Sequence, residues 1–326
     1  MNNCPGCLKE GHETYCSSCR RQLFSGKRVD HVLPFSRPDF DLVKLNQSER
    51  LSISGIQVKH SLSLDGNVLR LDERRGEYIL KPVPNGIYRN LSAVPANEHL
   101  SMQIASQVFR IKTALNGIIY FSDGQMAYIT KRFDVLENGR RLLQEDFAQI
   151  MQRTELSHGK NYKYDASYQD IAEYMKKYVP AYAVEAEKFY KIVLFNYLIS
   201  NGDAHLKNFS LSRNAEFGDY LLTPAYDIMN TSLHVPGESD SALELFSGDY
   251  MTAAFRAGSK YTRQDFYEFG LRIMGEAAGK RIDRMLNEIV SFREKTEELV
   301  KRSFLQDELK KTYLESIDAR RMRLAS

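Results

Sequence analysis

Apolar and polar residues alternate along residues 61–71, on both sides of an Asp65-Gly66 turn. This alternation around an Asp-Gly pair is typical of a β-hairpin. Three more strand-like segments follow, and apolar residues recur at helical spacing in one segment between them. The first half of the chain is therefore predicted to form a small α+β unit, with strands at 77–81, 117–121 and 127–133 and a helix at 97–109.

From about residue 142 onward the spacing of apolar residues becomes helical almost throughout. Two short strand-like segments, 208–211 and 220–222, interrupt the helical pattern. The predicted helices are 144–153, 168–178, 184–200, 263–274, 282–299 and 304–320. A strand-rich lobe followed by a helical lobe frames a cleft suited to a nucleotide.

Composition excludes several classes of protein. The 326 residues are 43% hydrophobic and 27% charged, which is the balance of a globular protein of roughly two units and not of a disordered chain. The 45 basic and 42 acidic residues nearly cancel, so bulk charge does not favour binding to DNA or anionic lipid. The longest apolar run is far shorter than the roughly 20 residues of a membrane helix, and the first residues lack signal-peptide character. We expect a cytoplasmic protein that does not associate with membranes.

All four cysteines lie in the first twenty residues, as two CxxC pairs separated by eight residues: Cys4, Cys7, Cys16 and Cys19. Two such pairs can supply four thiolates to one tetrahedral ion, and this predicts a structural Zn²⁺ site. His12 is an alternative ligand, although four cysteines already fill the coordination shell. Disulfides or free thiols are the other possibility, which a reducing compartment disfavours. Pro34 and Pro38 then suggest a linker.

The densest polar segment, 201–208, directly follows an apolar helix. Phosphoryl transfer needs a carboxylate beside the acceptor hydroxyl, and a second carboxylate with an amide oxygen on Mg²⁺. Asp203, Asn208 and Asp227 supply this set, and the offset of five between the first two matches kinase catalytic loops. His205 and Lys207 lie in the same loop and complete the catalytic candidates. The alternative is that these polar residues only form turns.

Two upstream features could hold the nucleotide. Residues 51–59 stand where a phosphate-covering loop would precede the hairpin, although one glycine makes a weak Gly-rich pattern. Lys81 ends a predicted strand and could reach the α- and β-phosphates, with Glu98 orienting it. A solvated lysine at a sheet edge is the alternative interpretation.

Four segments together resemble the HipA family of bacterial serine/threonine kinases, which are the toxin halves of toxin–antitoxin pairs. The resemblance runs from about residue 52 to residue 227, with further likeness in the C-terminal helices, and does not include the cysteines. The segments are Ser-Ile-Ser-Gly-Ile-Gln-Val-Lys at 52–59, Gln-Glu-Asp-Phe at 144–147, residues 201–210, and Leu-Thr-Pro at 222–224 leading to Tyr-Asp-Ile at 226–228.

The resemblance implies an α+β, two-lobed protein-kinase-like fold and an enzyme that uses ATP and Mg²⁺. It makes Asp203 the catalytic base, Asn208 and Asp227 the Mg²⁺ ligands, and Lys81 a nucleotide contact. It also implies nucleotide contacts from the phosphate loop and the lobe hinge, at Ser54, Gly55, Gln57, Lys59, Arg132 and Phe133. Family members phosphorylate a serine of their own phosphate loop, which makes Ser52 and Ser54 candidates for autophosphorylation.

The family also implies partners: a protein substrate, for which aminoacyl-tRNA synthetases are the best-known examples, and a HipB-like DNA-binding antitoxin. DNA would be bound only through that antitoxin. By this resemblance we expect the chain to lack the extra N-terminal subdomain of long HipA proteins and to be similar in layout to the short HipT-type kinases, whose missing piece is a separate, small HipS-like protein. The expected units are a zinc segment with linker at 1–36, an N-lobe at 37–134 and a helical C-lobe at 135–326.

Two departures from the family affect these expectations. Lys131 stands where the family usually has Glu at the hinge, so we expect backbone groups and Phe133 to hold adenine. The zinc segment has no counterpart in the parts that can be matched.

Two other functions remain open from sequence. Gly-Asp-x-His followed by Asn is also the catalytic-loop pattern of aminoglycoside and choline phosphotransferases, so a small-molecule kinase is one alternative. A non-catalytic nucleotide-binding module is the other, although the carboxylate and amide positions needed for turnover are all present.

Overall fold

The computed structural model describes residues 2–47, 59–72, 76–136 and 138–325. Residues 51–58 of the expected phosphate loop lie outside these ranges, and they include the site candidates Ser52, Ser54, Gly55 and Gln57. Lys59, the last residue of that loop, is described.

Five strands form one antiparallel sheet in the order β2-β1-β3-β5-β4. Its first two strands are the predicted hairpin, because Asp65 pairs with Val68 across a turn in which Gly66 has a φ of +60°. Lys81 lies opposite Tyr128 on the neighbouring strand, so both side chains point to the same face of the sheet. The strands are β1 (His60–Asp65), β2 (Val68–Leu71), β3 (Tyr78–Pro82), β4 (Asn116–Tyr120) and β5 (Met126–Lys131).

Three helices belong to this half of the molecule: α1 (Ser17–Leu23), α2 (Arg37–Gln47) and α3 (Val94–Gln107). The linker expected around Pro34 and Pro38 is wrong in part, since α2 begins at Arg37. Ser36 accepts a hydrogen bond from the Asp39 amide at 3.2 Å, as a helix cap does. Pro38 fits because the first turn of a helix needs no amide donors.

The cysteine segment packs against the sheet lobe. We call residues 2–24 the knuckle. Its apolar side chains share one core with the outer face of the sheet. This outer face is opposite to the face that carries Lys81. The knuckle contributes Tyr15, Leu23 and Phe24 to this core, and the sheet contributes Leu62, Leu69, Tyr78, Leu80, Ile119, Ala127 and Ile129.

The second half of the chain is mainly helical, with one small antiparallel sheet in the order β6-β7-β8. Its strands are β6 (Gln144–Asp146), β7 (Ser210–Arg213) and β8 (Tyr220–Leu222). Its helices are α4 (Phe147–Ile150), α5 (Glu155–His158), α6 (Tyr168–Tyr178), α7 (Tyr182–Leu198), α8 (Ala253–Gly258), α9 (Arg263–Met274), α10 (Gly279–Ser291), α11 (Arg293–Arg302) and α12 (Asp307–Ala325).

Two predicted helices differ in the structure. Residues 144–153 were predicted to be one helix, but Gln144–Asp146 pairs with β7, and Asp146 caps a single turn by accepting from the Gln149 amide at 2.9 Å. The helix predicted at 282–299 is two helices, because Phe292 leaves helical geometry between α10 and α11. Here its ring packs against Phe109, with 5.6 Å between the ring centroids.

Helix α3 connects the two lobes. Nearly all of its side chains are buried, because the sheet lies on one side of it and the helical lobe on the other. Asn97 donates to the Asn230 carbonyl at 2.8 Å, and Ser101 shares a 2.8 Å hydrogen bond with Tyr313 of α12. Among the residues that the structure describes, no helix combines the length and the apolar character needed to span a membrane.

Candidate active site

Lys81 lies between two carboxylates at the junction of the lobes. Its ammonium group forms ion pairs with Glu98 of α3 and with Oδ1 of Asp227, and only 2% of Lys81 is exposed. The ring of Tyr128 lies beneath the ammonium nitrogen, 5.2 Å from it. A second cation, Lys59, contacts Oδ2 of Asp227 at 2.6 Å. This group of side chains joins the sheet lobe to the helical lobe.

Burial and charge act in opposite directions in this group. Burial alone would raise the pKa of Asp227, but Lys81 and Lys59 outweigh it and hold that pKa well below its usual range. Burial would lower the pKa of Lys81, and the neighbouring Asp227 and Glu98 carboxylates raise it instead. For Glu98 burial is the larger effect, and it raises the pKa. Lys81 is therefore cationic and Asp227 anionic at neutral pH.

Asp227 has an unusual backbone conformation. Its φ is +55°, a left-handed value that costs a non-glycine residue free energy and that occurs preferentially at functional sites. The segment before it is fixed at Thr223, whose amide donates to the Ser210 carbonyl at 3.0 Å, and at Tyr226, whose hydroxyl donates to the Lys207 carbonyl at 3.0 Å. These contacts tie the Asp227 segment to the loop that carries Asn208.

The polar loop after α7 is held by its own side chains. Asn201 accepts from the Asp203 amide at 3.2 Å and donates to Asn196 at 2.7 Å. Asn208 accepts from the His205 amide at 3.1 Å. A narrow cavity is lined by Asn208 and Asp227 together with Asn201, so the two expected Mg²⁺ ligands face one space.

The carboxylate of Asp203 is half exposed and faces three side chains. The Tyr164 hydroxyl donates to Oδ1 of Asp203, Lys163 Nζ lies 3.8 Å from the same oxygen, and His205 Nε2 lies 3.7 Å from it. The contacts from Tyr164 and Lys163 were missed by sequence reasoning. No local pattern reveals them, because they come from a turn 39 residues earlier in the chain.

His205 and Lys207 differ in their surroundings. Burial lowers the pKa of His205 to about 4, with the Asp203 carboxylate opposing that shift, so the ring is neutral at pH 7. Lys207 is exposed. Its charge lowers the pKa of Asp146, although burial raises that pKa more strongly.

At the expected hinge, Arg132 and Phe133 point to different partners. The Arg132 guanidinium makes two hydrogen bonds to Asp134, at 3.0 and 2.6 Å. The Phe133 ring lies 5.7 Å from the Tyr226 ring, next to Asp227. Phe133 therefore lies beside the segment that carries Asp227, whereas the charge of Arg132 is neutralised by Asp134.

The family described as HipA-like C-terminal domain matches residues 51–295, three quarters of the chain. The chain belongs to this family. Two curated relatives carry the names "Putative kinase", from Haemophilus influenzae, and "Putative kinase Y4dM", from Sinorhizobium fredii. The first is 28% identical over 94% of this chain and 92% of its own length. The second is 29% identical over 63% of this chain and 51% of its own length.

A solved structure is similar in fold. The complex of HipA, HipB and operator DNA from the Shewanella oneidensis MR-1 toxin–antitoxin system contains a chain that matches with a TM-score of 0.60. The match is 17% identical and covers 90% of this chain and 72% of that chain. The α+β, two-lobed HipA-like kinase fold expected from the sequence is therefore confirmed.

The four cysteines lie outside the HipA-like match and form their own cluster. Their Sγ atoms all lie within 4.8 Å of one another, and no disulfide joins them. Cys7 and Cys16 are 3.7 Å apart between sulfurs, close to the roughly 3.8 Å expected between two thiolates on one tetrahedral Zn²⁺. The Cys16 amide also donates to the Cys4 sulfur at 3.2 Å, an interaction that stabilises a thiolate. The geometry fits a four-thiolate metal site.

Proposed function

We propose that this HipA-like chain is an ATP-dependent serine/threonine protein kinase. The observation that carries the proposal is the buried contact of Lys81 with both Glu98 and Asp227. A lysine between a helix glutamate and a metal-binding aspartate is the arrangement that kinases use to hold the nucleotide phosphates. Asp203 lies on a separate loop of the same lobe junction, where it can accept a proton.

In this proposal each residue has one task. Lys81 binds the α- and β-phosphates, and Glu98 fixes the position of its ammonium group. Asp203 accepts the proton of the acceptor hydroxyl. The hydroxyl oxygen then bonds to the γ-phosphorus while the bond between that phosphorus and the ADP oxygen breaks. Asn208 and Asp227 supply one amide and one carboxylate oxygen, which are the ligands Mg²⁺ prefers. When bound, Mg²⁺ neutralises charge on the phosphates.

The remaining nucleotide and modification sites follow from the family. Ser54, Gly55, Gln57 and Lys59 would cover the phosphates, with Phe133 against adenine and Arg132 at the hinge. His205 and Lys207 would support the catalytic loop. Ser52 and Ser54 are proposed as autophosphorylation sites.

The proposed partners are those of a toxin kinase. They are a cellular protein substrate, for which an aminoacyl-tRNA synthetase is the first candidate, a HipB-like antitoxin that contacts DNA, and a small HipS-like protein. The proposal gains support from the solved HipA neighbour, which is a complex with HipB and operator DNA. We place the protein in the cytoplasm.

We also propose that Cys4, Cys7, Cys16 and Cys19 hold one structural Zn²⁺. The distances between their sulfurs support this assignment. Metal analysis of the purified chain is expected to give one zinc per chain, and the Cys4→Ser variant is expected to lose it.

Phosphate mapping tests the kinase proposal. The purified chain is incubated with Mg-ATP and analysed by mass spectrometry, beside Asp203→Asn and the control Asp219→Asn, an exposed aspartate of the β7–β8 turn. We expect phosphate on Ser52 or Ser54 in the wild type and the control, and a loss of at least about a hundredfold in Asp203→Asn. No phosphate on the chain or on any cellular protein, with no ATP binding, would overturn the proposal.

A further inference from the structure

The knuckle contacts two elements of the sheet lobe. One is α3, which carries Glu98, and the other is β4, the strand beside β5. The knuckle also reaches the helical lobe, where Asn3 donates to the Arg302 carbonyl at 2.7 Å. The knuckle therefore touches both lobes.

The contacts with α3 come from the first CxxC pair. The carbonyl of Gly6 lies 3.3 Å from His99 Nε2, and the carbonyl of Cys7 accepts from Gln107 Nε2 at 3.0 Å. His99 directly follows Glu98 in the chain, and Gln107 is the last residue of α3. The knuckle therefore holds α3 at the residue next to Glu98 and at its C-terminal end.

The contact of His99 has a defined direction. A carbonyl oxygen only accepts, so His99 donates from Nε2 and its Nδ1 carries no proton. Burial lowers the pKa of this ring to about 4, which leaves it neutral at pH 7. His99 is fully buried, and no described residue forms a hydrogen bond with its Nδ1. A buried histidine with one unpaired nitrogen costs free energy, and the bond to Gly6 is its compensating polar contact.

The position of the Gly6 carbonyl depends on the cysteine cluster. A Cβ atom on Gly6 would lie 2.7 Å from the Cys19 sulfur, so the backbone here packs directly on the second CxxC pair. The same loop extends to the sheet, since the Pro5 carbonyl accepts from the Ile118 amide at 2.8 Å and Tyr15 donates to the Ile118 carbonyl at 2.6 Å. Separation of the cysteine pairs would displace all of these contacts together.

We infer that the metal-bound knuckle positions the Lys81–Glu98 ion pair, and that His99 is the positioning residue that connects the cysteine cluster to α3. This inference rests on the proposed zinc site and kinase function. With the four thiolates held by one ion, the Gly6 and Cys7 carbonyls stay fixed and hold α3 against the sheet. When the ion is lost, α3 loses these two hydrogen bonds and Glu98 no longer holds Lys81 in place.

Hydrogen exchange measured by mass spectrometry tests this coupling in the full chain. Exchange in α3 (Val94–Gln107) is compared with exchange in α10 (Gly279–Ser291), which serves as the internal reference. The samples are the zinc-loaded chain, the chain stripped by a zinc-selective chelator, and three zinc-loaded variants. His99→Leu removes the donor, and His99→Gln keeps an amide donor of similar reach. Ser106→Ala is the control on the same helix, because among the described residues its hydroxyl bonds to the Gln103 carbonyl of α3.

We expect exchange in α3 to become about tenfold faster after zinc removal and in His99→Leu, with α10 unchanged. We expect His99→Gln and Ser106→Ala to behave as the wild type, and zinc to stay bound in all three variants. Affinity for a fluorescent ATP analogue should fall in parallel with α3 protection. If chelation unfolds the whole chain, the inference is tested by comparing α3 exchange in zinc-loaded His99→Leu with α3 exchange in the zinc-loaded wild type. Wild-type exchange in zinc-loaded His99→Leu would overturn the inference. If α3 exchange responds as expected to zinc removal and to His99→Leu, but the chain binds no ATP, only the kinase proposal is rejected.

Discussion

The Tyr164 hydroxyl donates a hydrogen bond to Oδ1 of Asp203, the carboxylate assigned as the catalytic base. An acceptor hydroxyl would have to form the same kind of bond to that carboxylate before it reacts. Tyr164 is 37% exposed and Asp203 is half exposed, so solvent weakens the bond between them. Tyr164 thus competes with the acceptor for the base.

Tyr164→Phe is expected to raise phosphoryl transfer from ATP to water about fivefold. The variant keeps the ring and removes the competing hydroxyl, and a hydrogen bond to a charged group at a partly exposed site contributes about 1 kcal/mol. Phosphate release at saturating Mg-ATP measures the rate. Tyr162→Phe in the same turn is the matched control and should leave the rate unchanged. A slower rate in Tyr164→Phe would show that the hydroxyl aids the base instead of competing for it.

Lys81→Met is expected to lower the free energy of unfolding by about 3–5 kcal/mol. The substitution keeps the aliphatic stem but leaves Glu98 buried without its ion-pair partner and Asp227 with Lys59 alone, which is the costly outcome for a broken buried ion pair. Urea denaturation followed by circular dichroism measures the change.

Two comparisons make this measurement specific. Lys81→Met/Glu98→Gln should recover part of the loss, because one buried charge is removed together with its partner. Lys131→Met on β5, whose ammonium contacts only the exposed Ser25 hydroxyl at 3.1 Å among the contacts described, should change stability by less than about 0.5 kcal/mol. Equal losses at Lys81 and Lys131 would contradict the assignment of a buried cluster.

The lobes could be predicted from sequence because their signals are local. Alternation around Asp65-Gly66 marked the hairpin, and helical spacing marked α6 and α9 with bounds that the structure reproduces. The candidates Asp203, Asn208 and Asp227 were found because the residue types and offsets of the chemistry lie within two short segments. Whether they perform that chemistry stays a prediction.

The rest depended on contacts between distant parts of the chain. Residues 144–146 have a helical pattern, yet they form a strand that pairs with β7. The paired residues Asp146 and Ser210 are 64 positions apart in sequence. Tyr164 meets Asp203, and Gly6 meets His99, only after the lobes fold. No spacing rule connects such pairs, so the contacts between the knuckle and α3 could not be derived from the sequence.

Glu238 introduces a pH dependence beside the loop that carries Asp203. Its carboxylate accepts from Thr231, and burial raises its pKa to about 7, with the Asp203 charge adding to that shift. A folded-state pKa above the ordinary value of 4.5 means that the folded chain binds more protons between these two pH values. The contribution of Glu238 to stability therefore falls as pH rises from about 4.5 to about 7, and then levels off.

Glu238→Gln is expected to remove this dependence. The amide keeps an oxygen acceptor for Thr231 and carries no charge, so the variant should be more stable than the wild type by about 1–3 kcal/mol at pH 8 and nearly equal to it at pH 4.5. Thermal or urea unfolding between these pH values measures the difference, with the exposed Glu216→Gln as control. Parallel curves for Glu238→Gln and the wild type would show that the carboxyl is not protonated in the folded state.

Gly202, the residue before Asp203, has no space for a side chain. Its amide donates to Thr231 Oγ1 at 2.8 Å, and a Cβ atom would overlap the Glu238 carboxyl group. Gly202→Ala should therefore displace either Glu238 or the catalytic loop, and lower the free energy of unfolding by about 1–3 kcal/mol. Gly258→Ala is the matched control, because no atom lies within 4 Å of the added Cβ.

A double-mutant cycle tests whether the overlap with Glu238 causes the loss of stability in Gly202→Ala. If the overlap with Glu238 is the cause, Gly202→Ala/Glu238→Ala should be more stable than the sum of the single changes by at least about 1 kcal/mol, because the second substitution removes the obstacle. Phosphoryl transfer should then recover with stability, since Asp203 regains its position. Additive losses would instead mean that the cost of Gly202→Ala does not come from Glu238, and that the position of Asp203 does not depend on Glu238.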